Sequence, residues 1–348
     1  MERRAAEFGV GAAIGAVTMR VEVRPYRRPF RQPLQTAHGP WAVREGIILR
    51  FEDEQGQVTF GEIAPIPWFG TETLEQARAW CDRFSRNFAL EQIDDIPDSL
   101  PACQFGFGAA RDRVAWVSPA RFEMPSLKPP GPLSVCALLP TGAAALEGWQ
   151  GLWEQGHRTF KWKIGVAALA EELSLFQQLV KAVPSELRLR LDANGGLTGE
   201  EAATWLAECD RAPLPIEFLE QPLPPAQILD WLPQVKGQFQ TAIAVDESVA
   251  TFRQLQQVYE RVGRQVVYVV KPAIAGDSQR LAHFCLQHRP DVVFSSALET
   301  PIGRHQALRL AQALWNQGIS KRALGFGVEH WFADDWATLS AEALWAQL

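Results

Sequence analysis

Residues 187–194 read LRLRLDAN, and residues 216–222 read IEFLEQP. Each stretch begins with a short run of strand length, and that run ends in a carboxylate, Asp192 in the first stretch and Glu220 in the second. A helix-length amphipathic segment separates them. A strand, a helix and a second strand in this order predict a parallel βαβ unit.

The same unit repeats through the chain beyond residue 133. Thr198 and Glu201 have capping-box spacing at the start of one predicted helix, 198–209, and another helix is predicted over 252–262. Eight strands with helices between them predict a (β/α)8-type barrel, whereas the lack of a GxGxxG after any strand disfavours a Rossmann fold. The predicted strands are Leu133–Leu139, Thr159–Ile164, Leu187–Asp192, Ile216–Glu220, Ala242–Asp246, Val266–Lys271, Val292–Ser296 and Ala323–Gly327.

The first third of the chain has a different pattern. Short alternating apolar runs between residues 20 and 60, with a turn at 53–56, predict antiparallel strands. Two later segments, 71–90 and 98–117, are predicted to be helical, and Thr73 is a plausible N-cap of the first. This third is therefore predicted to form an α+β unit.

The composition excludes several classes of protein. The 348 residues are 47% hydrophobic and 21% charged, which is typical of a chain with a sizeable folded core. The net charge is −6, the basic residues are scattered, and no apolar run approaches the roughly 20 residues of a membrane span, so we expect neither nucleic acid nor membrane as a partner. Five cysteines without a CxxC pair predict free thiols in a reducing, cytoplasmic compartment.

Two lysines share one face of the second barrel strand. Because side chains alternate along a strand, Lys161 and Lys163 point to the same side, and the apolar residues between and around them point to the other. The apolar side is suited to packing against helices, so the lysines are predicted to face the inside of the barrel. Burial and mutual repulsion are expected to lower a lysine pKa, as a general base near neutrality requires.

Three consecutive barrel strands end in a carboxylate. Asp246 follows Glu220 along the chain at about the spacing that separates Glu220 from Asp192, which is one βα repeat. The three should therefore lie side by side on the rim where barrel enzymes keep their active sites. A set of carboxylate oxygens favours a hard divalent cation, Mg2+ before Mn2+, over zinc.

Strand six ends in another lysine, Lys271, which should face Lys161 and Lys163 across the barrel. Lysines on both sides of a cation held by carboxylates suggest proton abstraction next to a substrate carboxylate. A proton at that position is too weakly acidic for a lysine to remove unless the negative charge that develops is stabilised. The sequence thus predicts a small carboxylate as the substrate.

These motifs, in order, resemble those of the enolase superfamily, muconate-lactonising subgroup. They are KWK at 161–163, DAN at 192–194, EQP at 220–222, DES at 246–248 and VKP at 270–272. The resemblance implies an α/β fold, a modified (β/α)7β TIM-type barrel with an α+β capping domain, and Mg2+ bound by Asp192, Glu220 and Asp246. Composition predicts a mobile extension over 1–18, which is favoured over a signal peptide, and a proline-rich linker at 125–132. With the resemblance, the predicted divisions are the capping domain over 19–130, the barrel over 131–327 and a C-terminal segment over 328–348 that packs back on the capping domain.

Within that subgroup the chain is most similar to the o-succinylbenzoate synthase family, dehydratases of menaquinone and phylloquinone synthesis. The similarity lies in the capping loop 61–72, in the seventh-strand segment 295–303 and in the lack of a DxD in 325–329, which dipeptide epimerases carry. The similarity implies that Trp68, Ser295 and Ser296 contact the substrate. An N-succinylamino acid racemase or a dipeptide epimerase remains the alternative, since two opposed lysines could also exchange a proton.

The resemblance also implies individual roles. Lys163 would remove the α-proton and return a proton to the departing hydroxyl, Lys161 would hold Lys163 in its reactive state and contact the substrate carboxylate, and Lys271 would stay cationic. Asn194 and Glu247 would orient the groups around the metal, with a turn residue and a structural ion pair as the respective alternatives.

Other polar residues near the predicted site are expected to be solvated or to form structural salt bridges. His38 and Arg44 fall in the loop before a strand of the capping domain, where a solvated role is expected and contact with a substrate carboxylate is the alternative. Glu299 and Glu329 are expected to form structural salt bridges near the barrel mouth.

Overall fold

Two β-sheets organise the chain. The structure is a computed structural model and describes residues 18–36, 38–84, 87–115 and 133–348. The predicted linker 125–132 and the predicted extension, apart from Thr18, lie outside these ranges. Within the described residues, no helix is long and apolar enough to cross a membrane.

The first sheet is antiparallel, as the alternating pattern predicts, and has the strand order β3-β2-β1-β4. Its strands and the helices packed on it are β1 (Thr18–Thr36), β2 (Gly39–Glu52), β3 (Val58–Ile63), β4 (Asn87–Ala89), α1 (Leu74–Cys81) and α2 (Pro101–Ala115). Helix α2 approaches β3 so closely that a Cβ on Gly61 would collide with the carbonyl of Gly106. Only glycine allows this contact.

The prediction of one helix over 71–90 is wrong. A capping box between Thr73 and Gln76 starts the helix as expected, but the helix ends at Cys81. Phe88 lies fully buried in the core under the sheet, and its segment pairs with the start of β1 at Met19. Burial of an aromatic side chain through an edge strand outweighs the helical pattern of this segment.

The second sheet is parallel and runs in the order β11-β10-β9-β8-β7-β6-β5. Its strands are β5 (Ala137–Leu138), β6 (Thr159–Lys163), β7 (Arg188–Asp192), β8 (Ile216–Glu220), β9 (Ile243–Val245), β10 (Val267–Val270) and β11 (Asp291–Phe294). The helices beyond the first sheet are α3 (Ala145–Glu154), α4 (Leu169–Ala182), α5 (Gly199–Asp210), α6 (Pro225–Val235), α7 (Phe252–Val262), α8 (Pro272–Ala275), α9 (Ser278–His288), α10 (Pro301–Asn316) and α11 (Ala341–Gln347).

The predicted eighth strand is reduced to two bridging residues. Leu324 pairs with Val135 beside β5, and Gly325 pairs with Ser295 beside β11. These two bridges join the edges of the seven-stranded sheet and close it into a barrel. The fold is the TIM-type barrel with an α+β domain that the sequence predicts.

The C-terminal residues contact the antiparallel sheet. Trp345 of α11 packs with Tyr26 and Ile48 in one apolar cluster, and its carbonyl accepts a hydrogen bond from Arg24 at 2.6 Å. The Arg28 guanidinium, 1% exposed, forms ion pairs with Asp334 at 2.9 Å and Glu329 at 3.1 Å. These contacts hold the sheet against the mouth of the barrel, where strands β6 to β10 end.

Candidate active site

The end of strand β6 presents its lysines to the carboxylates of β7 and β8. Phe160, Trp162 and Ile164 are buried in the core between strands and helices, as the alternation predicts. The Lys161 ammonium donates to Glu220 Oε1 at 2.7 Å and lies 2.6 Å from Asp192 Oδ2. One positive charge thus sits between two buried carboxylates on adjacent strands.

Lys271 and Asp246 form the other side of the site. The Lys271 ammonium donates to Asp246 Oδ1, and both side chains are buried. Strand β10 is separated from β6 by three strands, so Lys271 lies across the barrel from Lys161, as the sequence predicts. The Phe69 ring, which the sequence analysis did not single out, covers the Lys271 ammonium with its centroid 5.1 Å from Nζ.

The two paired lysines have opposite electrostatic environments. Burial by itself disfavours the charged form of Lys161, but Asp192 and Glu220 outweigh it and raise the pKa of this lysine. Burial, together with the Lys161 charge, lowers the pKa of Lys271 to about 8, although Glu220 opposes the shift. The expectation of a lowered pKa is therefore wrong for Lys161, because carboxylates and not Lys163 are its nearest charges.

Asn194 and Glu247 meet beside Asp192. The Asn194 backbone donates to Asp192 Oδ1 at 3.0 Å, and its amide donates to Glu247 Oε1 at 3.1 Å. Burial and the charge of Asp192 raise the pKa of Glu247 to about 7. Its second oxygen, Oε2, is buried without a hydrogen-bond partner in the described part of the chain. A structural ion pair for Glu247, the alternative reading, is not formed with any described residue.

Gln221 lies within the EQP motif, but the sequence analysis assigned it no role. It is fully buried, and its backbone has a φ of 37°, which non-glycine residues rarely adopt. Its Oε1 accepts from the backbone of Asp246 at 3.0 Å, and its Nε2 donates to Ser248 at 2.8 Å. The amide therefore fixes the turn that carries Asp246. The sequence signal was a polar residue between a strand end and a proline.

The capping loop lies against the same end of the barrel. Trp68 packs edge-on against Trp41, with ring centroids 5.0 Å apart, and lies 5.8 Å from His38. Arg44 is buried, 1% exposed, and donates to the carbonyls of Ala64 and, at 2.8 Å, Pro65. The expectation of a solvated Arg44 is wrong, because the buried loop carbonyls need a donor that the loop itself does not supply.

The serines after β11 have partners within the protein. Ser295 donates to the Gly325 carbonyl at 3.2 Å, and Ser296 donates to Glu299 Oε1 at 3.0 Å. Glu329 forms the expected salt bridges, with Arg28 and Arg304. Glu299 forms no salt bridge with a described residue and accepts hydrogen bonds instead, so that expectation is wrong.

The three carboxylates at the strand ends form a candidate metal site. Within the described ranges, no group of three or more Asp, Glu, His or Cys side chains lies close enough together to hold an ion, since lysine ammoniums lie between the carboxylates. The donor chemistry nevertheless fits Mg2+, because all three groups are buried oxygen ligands at neighbouring strand ends. Burial and the charge of Asp192 raise the pKa of Glu220, so added positive charge there would be stabilising.

A barrel with charged residues at its strand ends and an antiparallel domain over its mouth is the architecture of the enolase superfamily. The profile described as "Enolase C-terminal domain-like" matches residues 144–340, and "MenC, N-terminal domain" matches residues 19–114. The chain belongs to the o-succinylbenzoate synthase family of this superfamily.

Several curated relatives carry that name. The o-succinylbenzoate synthase of Thermosynechococcus vestitus is 42% identical over 322 residues, which cover 90% of this chain and 95% of the relative. The enzyme of the same name from Pasteurella multocida is 31% identical over 284 residues, covering 77% of this chain and 78% of the relative.

Solved structures agree on the fold. The o-succinylbenzoate synthase of Thermosynechococcus elongatus BP-1, complexed with Mg in its active site, is 41% identical with a TM-score of 0.83, covering 94% of this chain and 100% of that one. The L-Ala-D/L-Glu epimerase of Bacillus subtilis, at 22% identity, has a TM-score of 0.69 and covers 91% of each chain. At that identity the likeness concerns the fold alone.

Proposed function

We propose that this protein is a Mg2+-dependent dehydratase that converts 2-succinyl-6-hydroxy-2,4-cyclohexadiene-1-carboxylate to o-succinylbenzoate. The observation that carries the proposal is the arrangement of lysines on opposite sides of the barrel around three buried carboxylates, in a chain of this family. The reaction breaks a C–H and a C–O bond, forms a ring double bond and releases water.

Lys163 is assigned as the base that removes the proton next to the substrate carboxylate. It shares the inner face of β6 with Lys161 but, unlike Lys161, forms no ion pair with a described residue. Once protonated, it donates a proton to the departing hydroxyl on the same face of the ring. One lysine therefore serves both steps of a syn elimination.

Lys271 is assigned an electrostatic role. With a pKa lowered to about 8, it is still mostly cationic at pH 7, and it lies where it can stabilise negative charge on the ring from the opposite face. Lys161 is assigned to the substrate carboxylate, and Asn194 and Glu247 to orienting Asp192.

Asp192, Glu220 and Asp246 would hold the metal. When bound, Mg2+ supplies the positive charge that makes the proton next to a carboxylate acidic enough for a lysine to remove. The capping loop, through Trp68 and Phe69, would exclude water from the site. Ser295 and Ser296 would contact the succinyl side of the substrate.

The test is an ultraviolet assay of o-succinylbenzoate formation from the purified chain. We expect turnover with Mg2+, loss of turnover in EDTA, and recovery when Mg2+ is restored. Glu220→Gln should weaken Mg2+ binding in calorimetry because a neutral amide replaces an anionic ligand, whereas the exposed Glu186→Gln should bind Mg2+ like the parent. Full activity without metal would contradict the proposal.

Racemisation of N-succinylamino acids is the alternative reaction to assay in parallel. Two lysine positions on opposite sides of the site could exchange a proton on both faces of an α-carbon. Exchange of the α-proton with solvent deuterium, without dehydration of the cyclohexadiene substrate, would favour that activity over the one proposed.

We also propose a cytoplasmic location and a small-molecule carboxylate as the substrate. All five cysteines are buried free thiols, which supports a reducing compartment. Fractionation of cells that express the tagged protein tests the location.

A further inference from the structure

The turns that carry the three strand-end carboxylates meet at one residue, Gln221. This residue follows Glu220 directly at the end of β8. Its backbone carbonyl accepts a hydrogen bond at 2.7 Å from the backbone nitrogen of Gly195, in the turn after Asp192. Its side chain reaches the turn of Asp246 on the other side. Gln221 is therefore bonded to both neighbouring turns.

The Gln221 amide is paired at both of its ends. Its Oε1 accepts from the backbone nitrogens of Asp246 at 3.0 Å and Ser248 at 3.3 Å. Its Nε2 donates to the Leu223 carbonyl and to the Ser248 hydroxyl, both at 2.8 Å. An ionised carboxylate only accepts and an apolar side chain does neither, so this pairing requires an amide. Because the side chain is fully buried, it acts through the residues that it holds and not on a ligand directly.

The backbone of Gln221 gives a second reason to assign the amide a role. Its φ is 37°, a conformation that glycine adopts freely and that strains a residue with a Cβ. Such strain persists where surrounding contacts enforce it, and it is concentrated at functional sites. A glycine at this position would relieve the strain but could not hold the turn of Asp246.

We propose that Gln221 is a positioning residue for the metal: it fixes Asp246 relative to Glu220 and so favours Mg2+ over larger divalent cations. Mg2+ requires a nearly ideal octahedron of oxygens at about 2.1 Å, whereas Ca2+ accepts irregular sets at about 2.3–2.6 Å. A turn held at its backbone keeps its carboxylate in one place, and a turn without that support adapts to the larger ion. The inference rests on the metal site of the proposed function, but on no step of the dehydration.

The test is calorimetric titration of the purified full chain, first freed of metal, with Mg2+ and separately with Ca2+. Gln221→Met keeps the length of the side chain and removes the amide. We expect its Mg2+ affinity to fall about tenfold or more, as is usual when a contact that orients a metal ligand is lost, and its Ca2+ affinity to stay within about threefold of the parent. The ratio of the two affinities is the decisive readout, because a general loss of stability would not change it.

Two further variants isolate the amide. Gln221→Gly accommodates the φ of 37° without strain and should lose the preference for Mg2+ as Gln221→Met does. Ser248→Ala removes one partner of the amide but leaves its bond to Asp246, so it should lower Mg2+ affinity by about threefold at most. The matched control is Gln306→Met, which removes another buried amide, one that donates to the Phe105 carbonyl at 2.8 Å, and should bind both ions like the parent.

Parental Mg2+ affinity in both Gln221 variants would overturn the proposal, as would a fall of the Mg2+ and Ca2+ affinities in the same proportion. A parent that binds Mg2+ no more tightly than Ca2+ would also contradict it. Loss of the preference in the Gln221 variants supports the positioning role whether or not the parent forms o-succinylbenzoate. A parent that prefers Mg2+ and forms no product contradicts only the proposed reaction.

Discussion

Glu62 holds the antiparallel sheet to the barrel, and its replacement provides the sharpest test of the fold. Its carboxylate is fully buried and accepts a hydrogen bond from the Tyr26 hydroxyl at 2.6 Å. It also accepts from the backbone and the hydroxyl of Thr300, and from the backbone of Gly303 at 2.9 Å. The last two residues flank the start of α10, where a negative charge is stabilised by the helix dipole.

Truncation of this side chain, Glu62→Ala, should cost about 3–5 kcal/mol of unfolding free energy. Four donors lose their acceptor, and each buried donor left unpaired costs about 1–3 kcal/mol, part of which water recovers when it enters the space left by the side chain. Glu62→Gln keeps the volume and one acceptor oxygen but loses the charge at the helix start. It should cost about 1–2 kcal/mol.

The assay is urea unfolding at neutral pH, followed by tryptophan fluorescence. Glu54→Ala, in an exposed turn of the same sheet, is the control and should stay within about 0.5 kcal/mol of the parent. The reasoning fails if Glu62→Ala unfolds within about 1 kcal/mol of the parent, or if the glutamine variant is the less stable of the two.

Glu62→Ala should also change the steady-state kinetics. Glu62 lies at the start of the capping loop 61–72, so loss of its hydrogen bonds should loosen the loop over the site. In the folded Glu62→Ala protein we expect KM to rise more than kcat falls. A fall in kcat with an unchanged KM would show that the loop does not depend on this anchor.

Four other substitutions test the site. Lys163→Arg should abolish dehydration, since a guanidinium does not deprotonate and general acid-base catalysis contributes about 10²–10⁴-fold, while Lys271→Arg keeps its charge and should retain measurable turnover. Near-parental turnover of Lys163→Arg, with Mg2+ binding verified in both variants, would show that the one-base mechanism is wrong. Trp68→Ala should raise KM more than it lowers kcat in steady-state assays; unchanged kinetics would place this ring outside the site. Burial and the charge of Glu62 raise the pKa of Glu299 from 4.5 to about 7. Protonated Glu299 therefore stabilises the folded protein below pH 4.5, and this stabilisation of up to about 3 kcal/mol is lost as the pH rises to 7. Urea unfolding of Glu299→Gln across this range should show a smaller decline than the parent, and an identical decline would refute the assignment.

Much of the barrel and the positions of its charged residues could be predicted from the sequence. Strand alternation put Lys161 and Lys163 on one face, and the βα spacing put Asp192 and Glu220 at neighbouring strand ends. The capping box at Thr198 and the helix 252–262 also follow from local pattern. The alternation and the capping depend on residues a few positions apart, so the chain specifies them before any tertiary contact forms, whereas the strand ends follow from the regular length of the βα repeat.

Other features were decided only by the tertiary structure. The last barrel strand is reduced to bridges at Leu324 and Gly325, whose partners lie at opposite edges of the sheet. The pKa of Lys161 rises because carboxylates from two other strands lie beside it. Glu62 finds its partner Thr300 at a separation of 238 residues. Burial and charge depend on which distant segments pack together, and no local sequence pattern carries that information.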